Sequence, residues 1–270
     1  MPLESRRADV RTLAPDIARY EVSTILSESL HFHGLGHGYH HERYFEELGA
    51  IDTYLLGLCF CDHCLEAARR RGVDTEMVHR SVRYELQRRF ADGGGGEDTE
   101  ELTHEDLKPF GGEQMLGYLD TRTETVTSLV DEVARAVSDG GASLTFLDLC
   151  GAEKSFATGH PEGEAAPALG WQMGIDAAAL AGVCATIAAT GYAADPGRLN
   201  LDLDAYEALI PDASRLGLVL RPMPPDCRSA DNLAAKVALA LERGLGRLDF
   251  YHYGFCRLQA LDWIRQAIAT

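Results

Sequence analysis

Long apolar runs are missing from this 270-residue sequence: nothing approaches the roughly 18 consecutive apolar residues of a membrane-spanning helix. The opening Met1-Pro2-Leu3-Glu4-Ser5-Arg6-Arg7 also lacks the apolar centre of a secretory leader, and the expectation is a cytoplasmic protein. Positive charge is scarce. Lys and Arg number 25 against 42 Asp and Glu, a formal charge of −17, and no basic run exceeds Arg69-Arg70-Arg71. Such a balance repels phosphate backbones and anionic lipid surfaces, so neither nucleic acid nor membrane is an expected partner. What is present is a globular composition, 46% hydrophobic and 25% charged, in a chain long enough for a substantial core. Disordered, collagen-like and disulfide-scaffold chains are excluded. Seven cysteines are an odd number, and in a reducing compartment they point to thiol or metal chemistry.

Apolar spacing at Val10, Leu13, Ile17 and Tyr20 predicts a helix over Asp9–Tyr20, with Pro15 against it. A β-branched strand, 22–28, follows. A loop dense in Gly and His leads to a helical stretch that the cysteine motif breaks and that resumes from Leu65 to about Phe90. Gly93 to Gly96 and their acidic neighbours predict a flexible surface insertion over 91–114. From there helices and strands alternate: helix 116–137 and strand 144–150, helix 175–183 and strand 184–190, stretch 204–209 and strand 216–220, helix 230–243 and strand 248–253, and a closing helix 258–269.

Five short strands, apolar on both faces and separated by helices, imply a parallel α/β sheet covered by helices. Gly34-Leu35-Gly36-His37-Gly38 has the wrong spacing for a dinucleotide fingerprint, which favours a barrel over a doubly wound sheet. A complete barrel has eight strands in typically about 250 residues. The expectation is therefore one partial (β/α)8 TIM barrel over 1–270, five βα units with the first strands missing, carrying a His/Cys-rich insertion at 29–64 and the flexible one at 91–114. Open strand edges would favour pairing with a second copy, a homodimer.

Ligands bind at the carboxyl ends of strands in such folds. Those ends hold Glu28 with His31 and His33, Asp148 with Cys150, Tyr192, Arg221, and Tyr251, His252 and Tyr253. Acids, aromatics and one Arg suit a sugar. Acetal hydrolysis takes one carboxyl to protonate the leaving oxygen and another to stabilise or attack the oxocarbenium-like centre, which nominates Glu28 and Asp148. The plainer alternative is that each acid caps a helix or pairs with Arg221. His31, His33 and His40 belong to a loop with five of the ten histidines in twelve residues, suited to binding hydroxyls or to holding a divalent metal. Trp171 is either a sugar-stacking platform or a loop anchor, and Trp263 reads as core.

Cys59-Phe60-Cys61-Asp62-His63-Cys64 is the sharpest local signal. Three thiols in six residues can ligate one zinc, the fourth ligand coming from His63, the His-rich loop or His104; alternatively they are small thiols packing a helix start. Cys184 reads as core. No cofactor is expected beyond a structural zinc.

Two stretches resemble a known group. The run Glu28, His31-Phe32-His33-Gly34, His37-Gly38-Tyr39-His40-His41-Glu42, followed by Leu56-Gly57-Leu58-Cys59-Phe60-Cys61-Asp62-His63-Cys64, is similar to uncharacterised bacterial (β/α)8-barrel proteins related to glycoside hydrolases, a resemblance covering most of the chain. It implies a barrel, further strands ahead of Asp9 and, since many retaining glycosidases place the acid/base after strand four, that role for Glu28. The sequence departs from the pattern where a nucleophilic Glu would follow strand seven, because Arg221-Pro222 stands there. The leading expectation is a carbohydrate-active hydrolase on a small-molecule substrate. The alternatives are a metal-dependent, amidohydrolase-like enzyme using His31 and His33, and an inactive barrel that binds a sugar or a protein.

Overall fold

A computed structural model describes residues 4–34, 48–91, 102–155 and 163–269. In chain order the elements are α1 (Glu4–Ala18), β1 (Thr24–Ser27), α2 (Ala50–Gly57), α3 (Asp62–Arg70), α4 (Thr75–Ala91), α5 (His104–Leu107), α6 (Gly112–Asp139), β2 (Ser143–Asp148), α7 (Cys150–Ser155), α8 (Gly170–Met173), α9 (Ala177–Val183), β3 (Thr186–Thr190), α10 (Pro196–Leu209), β4 (Leu216–Leu220), α11 (Ala230–Glu242), β5 (Arg247–Phe250) and α12 (Leu258–Ala267). All five expected strands form, and they pair in the order β1-β2-β3-β4-β5 with every pair parallel. This is a half-barrel of five strands alternating with helices, a partial (β/α) barrel. Among the described residues no helix is long and apolar enough to cross a membrane.

The chain divides into two compact units, one of Met1–Val10, His31–Leu129 and Trp171–Ile175, the other of Arg11–Leu30, Val130–Gly170 and Asp176–Thr270. The second unit holds the sheet. Its register sorts the side chains, because residues paired across parallel strands share a face and neighbours along a strand alternate. Phe146 and Asp148 stand with Ile187, Ala189, Leu218 and Leu220 on one face. A methyl group at Gly191 would meet both Leu218 and Leu199 of α10, so this face is the one α10 covers. Leu147, Ala188 and Val219 stand on the other, joined by Leu149 and Tyr192 in a second buried cluster.

Caps decide where the helices begin. Asp195 accepts hydrogen bonds from the N–H groups of Gly197 and Arg198, and Pro196 fills the first helical position, so α10 starts well before the expected 204. Cys150 opens α7 instead of closing β2, and Cys184 closes α9 instead of opening β3. Gly151 sits so close to Thr190 that an added Cβ would lie 1.7 Å from the Thr190 carbonyl oxygen.

The first unit is helical and has its own core, in which Tyr54, Leu55, Val78, Leu107, Met115 and Tyr118 are buried. Within the stretch 91–114, residues 104–110 are helical. A capping box between Thr103 and Asp106 starts α5, and Leu102, Leu107 and Phe110 bury their side chains in this core. Residues 92–101 lie outside the described residues.

Candidate functional site

The sheet's carboxyl-end rim assembles around Tyr192. Its phenol is buried, and burial pushes its pKa up; Arg221 opposes the shift, while the charges of Tyr251, Asp226 and Glu28 add to it. These five side chains are therefore electrostatic neighbours. The Arg221 guanidinium carbon stands 4.5 Å from the Tyr192 ring centroid. Asp226 holds that guanidinium, with Arg221 Nε donating to Oδ2 at 2.5 Å and Nη2 to Oδ1 at 2.9 Å. The fork is buried. Burial raises the Asp226 pKa to about 6 against the opposing pull of Arg221 and Lys236. Lys236, also buried and with its pKa lowered by burial, donates from Nζ to the Asp226 carbonyl oxygen at 2.5 Å.

Glu28 is exposed, two residues beyond Leu26, whose register partner Thr145 shares a face with Leu147. Ser29 follows with φ 61°, a left-handed conformation costly for a residue with a Cβ, so the chain turns sharply beside the carboxylate. Beyond β5, Tyr251 is exposed, and the His252 ring lies edge-on to Tyr251 at 4.5 Å and to Phe255 at 4.3 Å.

Asp148 does not join this group. It is fully buried on the face that α10 covers, accepts a hydrogen bond from the Cys150 N–H at 2.8 Å, and raises the pKa values of Cys150 and Tyr206, for which burial is the larger cause. An acid that stabilises the start of α7 from inside the protein is not poised to meet a sugar, so the expected pairing with Glu28 gives way to the plainer role of a cap. Sequence reasoning missed Asp226, which holds Arg221, and Lys236, which donates to the Asp226 carbonyl oxygen. A lone Lys on the apolar side of α11 was the available signal for Lys236; for Asp226 only the Pro224-Pro225 turn preceding it was visible.

His31 and His33 belong to the first unit, where His31 Nδ1 lies 2.6 Å from the Phe32 carbonyl oxygen and His33 is exposed. His40 lies outside the described residues. Trp171 packs against the helical core, 5.2 Å from the Tyr54 ring and 4.2 Å from His104, which makes it an anchor. Trp263 is only half-buried and lines a surface cavity.

The cysteine motif does converge. The Sγ atoms of Cys59, Cys61 and Cys64 lie within 4.8 Å of one another, with Cys61 and Cys64 at 3.6 Å. This is the only such group of three or more ligands among the described residues; it contains neither His63, exposed in the first turn of α3, nor His31 and His33. A bond from the Cys64 thiol, more than burial or the neighbouring Arg122, sets the Cys59 thiol, drawing it down to about 5, and the same bond with burial pushes Cys64 up. The cluster is seated on rings: Phe60 stacks between His79 at 4.7 Å and Tyr118 at 5.2 Å, and the Tyr118 hydroxyl donates to the Cys59 carbonyl oxygen. The geometry can hold a metal ion.

No family model and no curated protein matches this sequence. Among solved structures, the catalytic domain of beta-amylase from Paenibacillus polymyxa is similar with a TM-score of 0.55 at 10% identity, over 99% of this chain and 69% of that one. The fold is glycoside-hydrolase-like. A chitinase from Chromobacterium violaceum ATCC 12472 matches over 56% of this chain with a TM-score of 0.43 at 13% identity, and the match spans 63% of the chitinase.

Proposed function

We propose that this protein is a carbohydrate-active hydrolase whose general acid is Glu28. The observation that carries the reading is the buried Arg221, forked by Asp226 and stacked 4.5 Å from the Tyr192 ring, at the same strand-end rim that Glu28 follows. Glu28 is exposed and can reach a glycosidic oxygen; Tyr192, kept protonated, is a neutral hydrogen-bond donor, and Arg221 is fixed by Asp226. The second carboxyl that acetal chemistry requires is assigned to Asp249, which shares a face with Val219 and whose side chain is 30% exposed beside Arg247. Tyr251 and His252 supply ring faces for the sugar. Glu28→Gln is expected to abolish turnover of an aryl-glycoside panel, and Asp249→Asn to lower it at least 100-fold, with unchanged circular dichroism. Full activity in Glu28→Gln would overturn the assignment, and sugar binding by calorimetry without turnover in the wild type would identify an inactive, sugar-binding barrel.

A second reading rests on the thiols. Zinc–sulfur bonds of about 2.3 Å in a tetrahedron set the sulfurs about 3.8 Å apart, close to the 3.6 Å between Cys61 and Cys64. Cys59, Cys61 and Cys64 are proposed to hold one structural zinc ion that ties the segment between α2 and α3. One equivalent of zinc per chain by elemental analysis, lost in Cys61→Ser and Cys64→Ser, is the expected result. Metal-free protein after refolding with zinc under reducing conditions would exclude it.

A further inference from the structure

Nearly every cation in the sheet unit is spoken for. Arg11, Arg19, Arg135, Arg198, Arg215, Arg221, Arg243, Arg247 and Arg265 each reach a carboxylate or carbonyl, as do Lys154 and Lys236. Two arginines of this unit, Arg228 and Arg257, have no side-chain partner among the described residues, and both line one cavity of about 70 Å³. In a chain with 42 acids against 25 bases, these two exposed arginines, without a carboxylate partner among the described residues, line one hollow together.

The cavity's other walls say what else must fit. Trp263, Pro222 and Met223 give it an apolar side, and Gln259 a polar one. The space lies where the loop after β4 meets the first turn of α12, a ten-residue helix whose N-cap, Arg257, makes no side-chain cap, so its first N–H groups add to the positive character. Its volume equals about five water-sized sites. That is room for a carboxylate or phosphate group and the atoms that carry it, with a ring left to lie on Trp263.

We propose that this cavity binds the oxyanion group of a small organic ligand, Arg228 and Arg257 gripping the anion and Trp263 packing against its ring. Arg is suited to this because its planar donor fork matches carboxylate and phosphate oxygens. The site does not involve Glu28, and its binding is independent of the glycosidase reading.

Calorimetry on the full chain tests it with three anions and their neutral counterparts: D-glucuronate and D-glucose 6-phosphate against D-glucose, and benzoate against benzyl alcohol. At least one anion is expected to bind 10-fold or more tightly than its neutral counterpart, the sugar arms separating carboxylate from phosphate. Arg228→Gln/Arg257→Gln should lose that preference and Trp263→Leu should weaken binding several-fold, while the double variant melts at the wild-type temperature because neither guanidinium has a partner to lose. Binding by benzoate alone would support the site while removing the sugar as its occupant. Equal binding of anions and neutral counterparts, or a preference surviving in the double variant, would overturn the proposal.

Discussion

Asp226 shows how one buried carboxyl can serve a site it does not line. Its folded pKa of about 6 lies above the ordinary value near 4, chiefly because burial disfavours the charge. For an acid shifted upward the folded state binds the proton more tightly, so ionising Asp226 erodes stability as pH rises from about 4 through 6. Above 6 the carboxylate grips Arg221; below it the grip weakens. Turnover is therefore expected to fall as pH drops through about 6, and Asp226→Asn should cut kcat/KM about 10-fold at pH 7 while erasing that acid limb. A variant whose profile keeps the limb would show that Asp226 does not position Arg221. At this scale the placement of Glu28, Tyr192, Arg221 and Tyr251 after the ends of parallel strands was legible, because apolar strands in an α/β chain mark where those ends fall. Asp148 misled because a strand-end acid can face either layer, and one residue of register decides which.

At the scale of elements, α7 depends on contact between its own backbone and β3. Thr190 Oγ1 accepts from the Ala152 N–H at 2.8 Å and donates to the Asp148 carbonyl oxygen at 3.0 Å, and Gly151 allows that approach. Gly151→Ala forces a methyl group into the Thr190 carbonyl, where nothing can yield without shifting the strand. A loss of about 3 kcal/mol in urea denaturation, or failure to fold, is the expected result; a loss under 1 kcal/mol would mean the two backbones are not in contact. The strands were readable from apolarity to within a few residues, as was α11, whose Ser229 cap accepts from the Asn232 N–H. The start of α10 was readable in principle from Asp195-Pro196 but not from periodicity, since Leu199, Asp202, Leu203 and Tyr206 mix a polar residue into its buried side. The α5 turn escaped because its stability comes from burying Leu102, Leu107 and Phe110 in a core built from distant helices.

For the whole molecule, charge sets the response to salt. A net −17 on 270 residues repels itself, and ions shorten the reach of that repulsion to about 8 Å at physiological strength. Surface pairs such as Arg6–Asp9 and Arg265–Asp262 are solvent-exposed and weak, so their loss in salt is small beside the relief. Raising sodium chloride from 0.02 to 0.5 M is expected to raise the melting temperature by about 2–5 °C; a fall would show that ion pairs outweigh the excess of like charge. Composition made this property plain, whereas the division into two units with separate cores was not legible, because helical periodicity alone does not say which core a helix serves.

The sheet's strand order hides an unequal distribution of chain. Thr24 of β1 and Ser143 of β2 touch across 119 residues, whereas β2 and β3 meet at Asp148 and Thr190, 42 apart, and Arg215 reaches Cys184 across 31. Each doubling of span adds about 0.6 kcal/mol of closure entropy, which leaves β1 at a disadvantage of about 1 kcal/mol relative to its neighbours. Its amides should accordingly trade hydrogen for deuterium sooner than those of β3 or β4, and β1, with Glu28 at its tip, is expected to be the first strand to release.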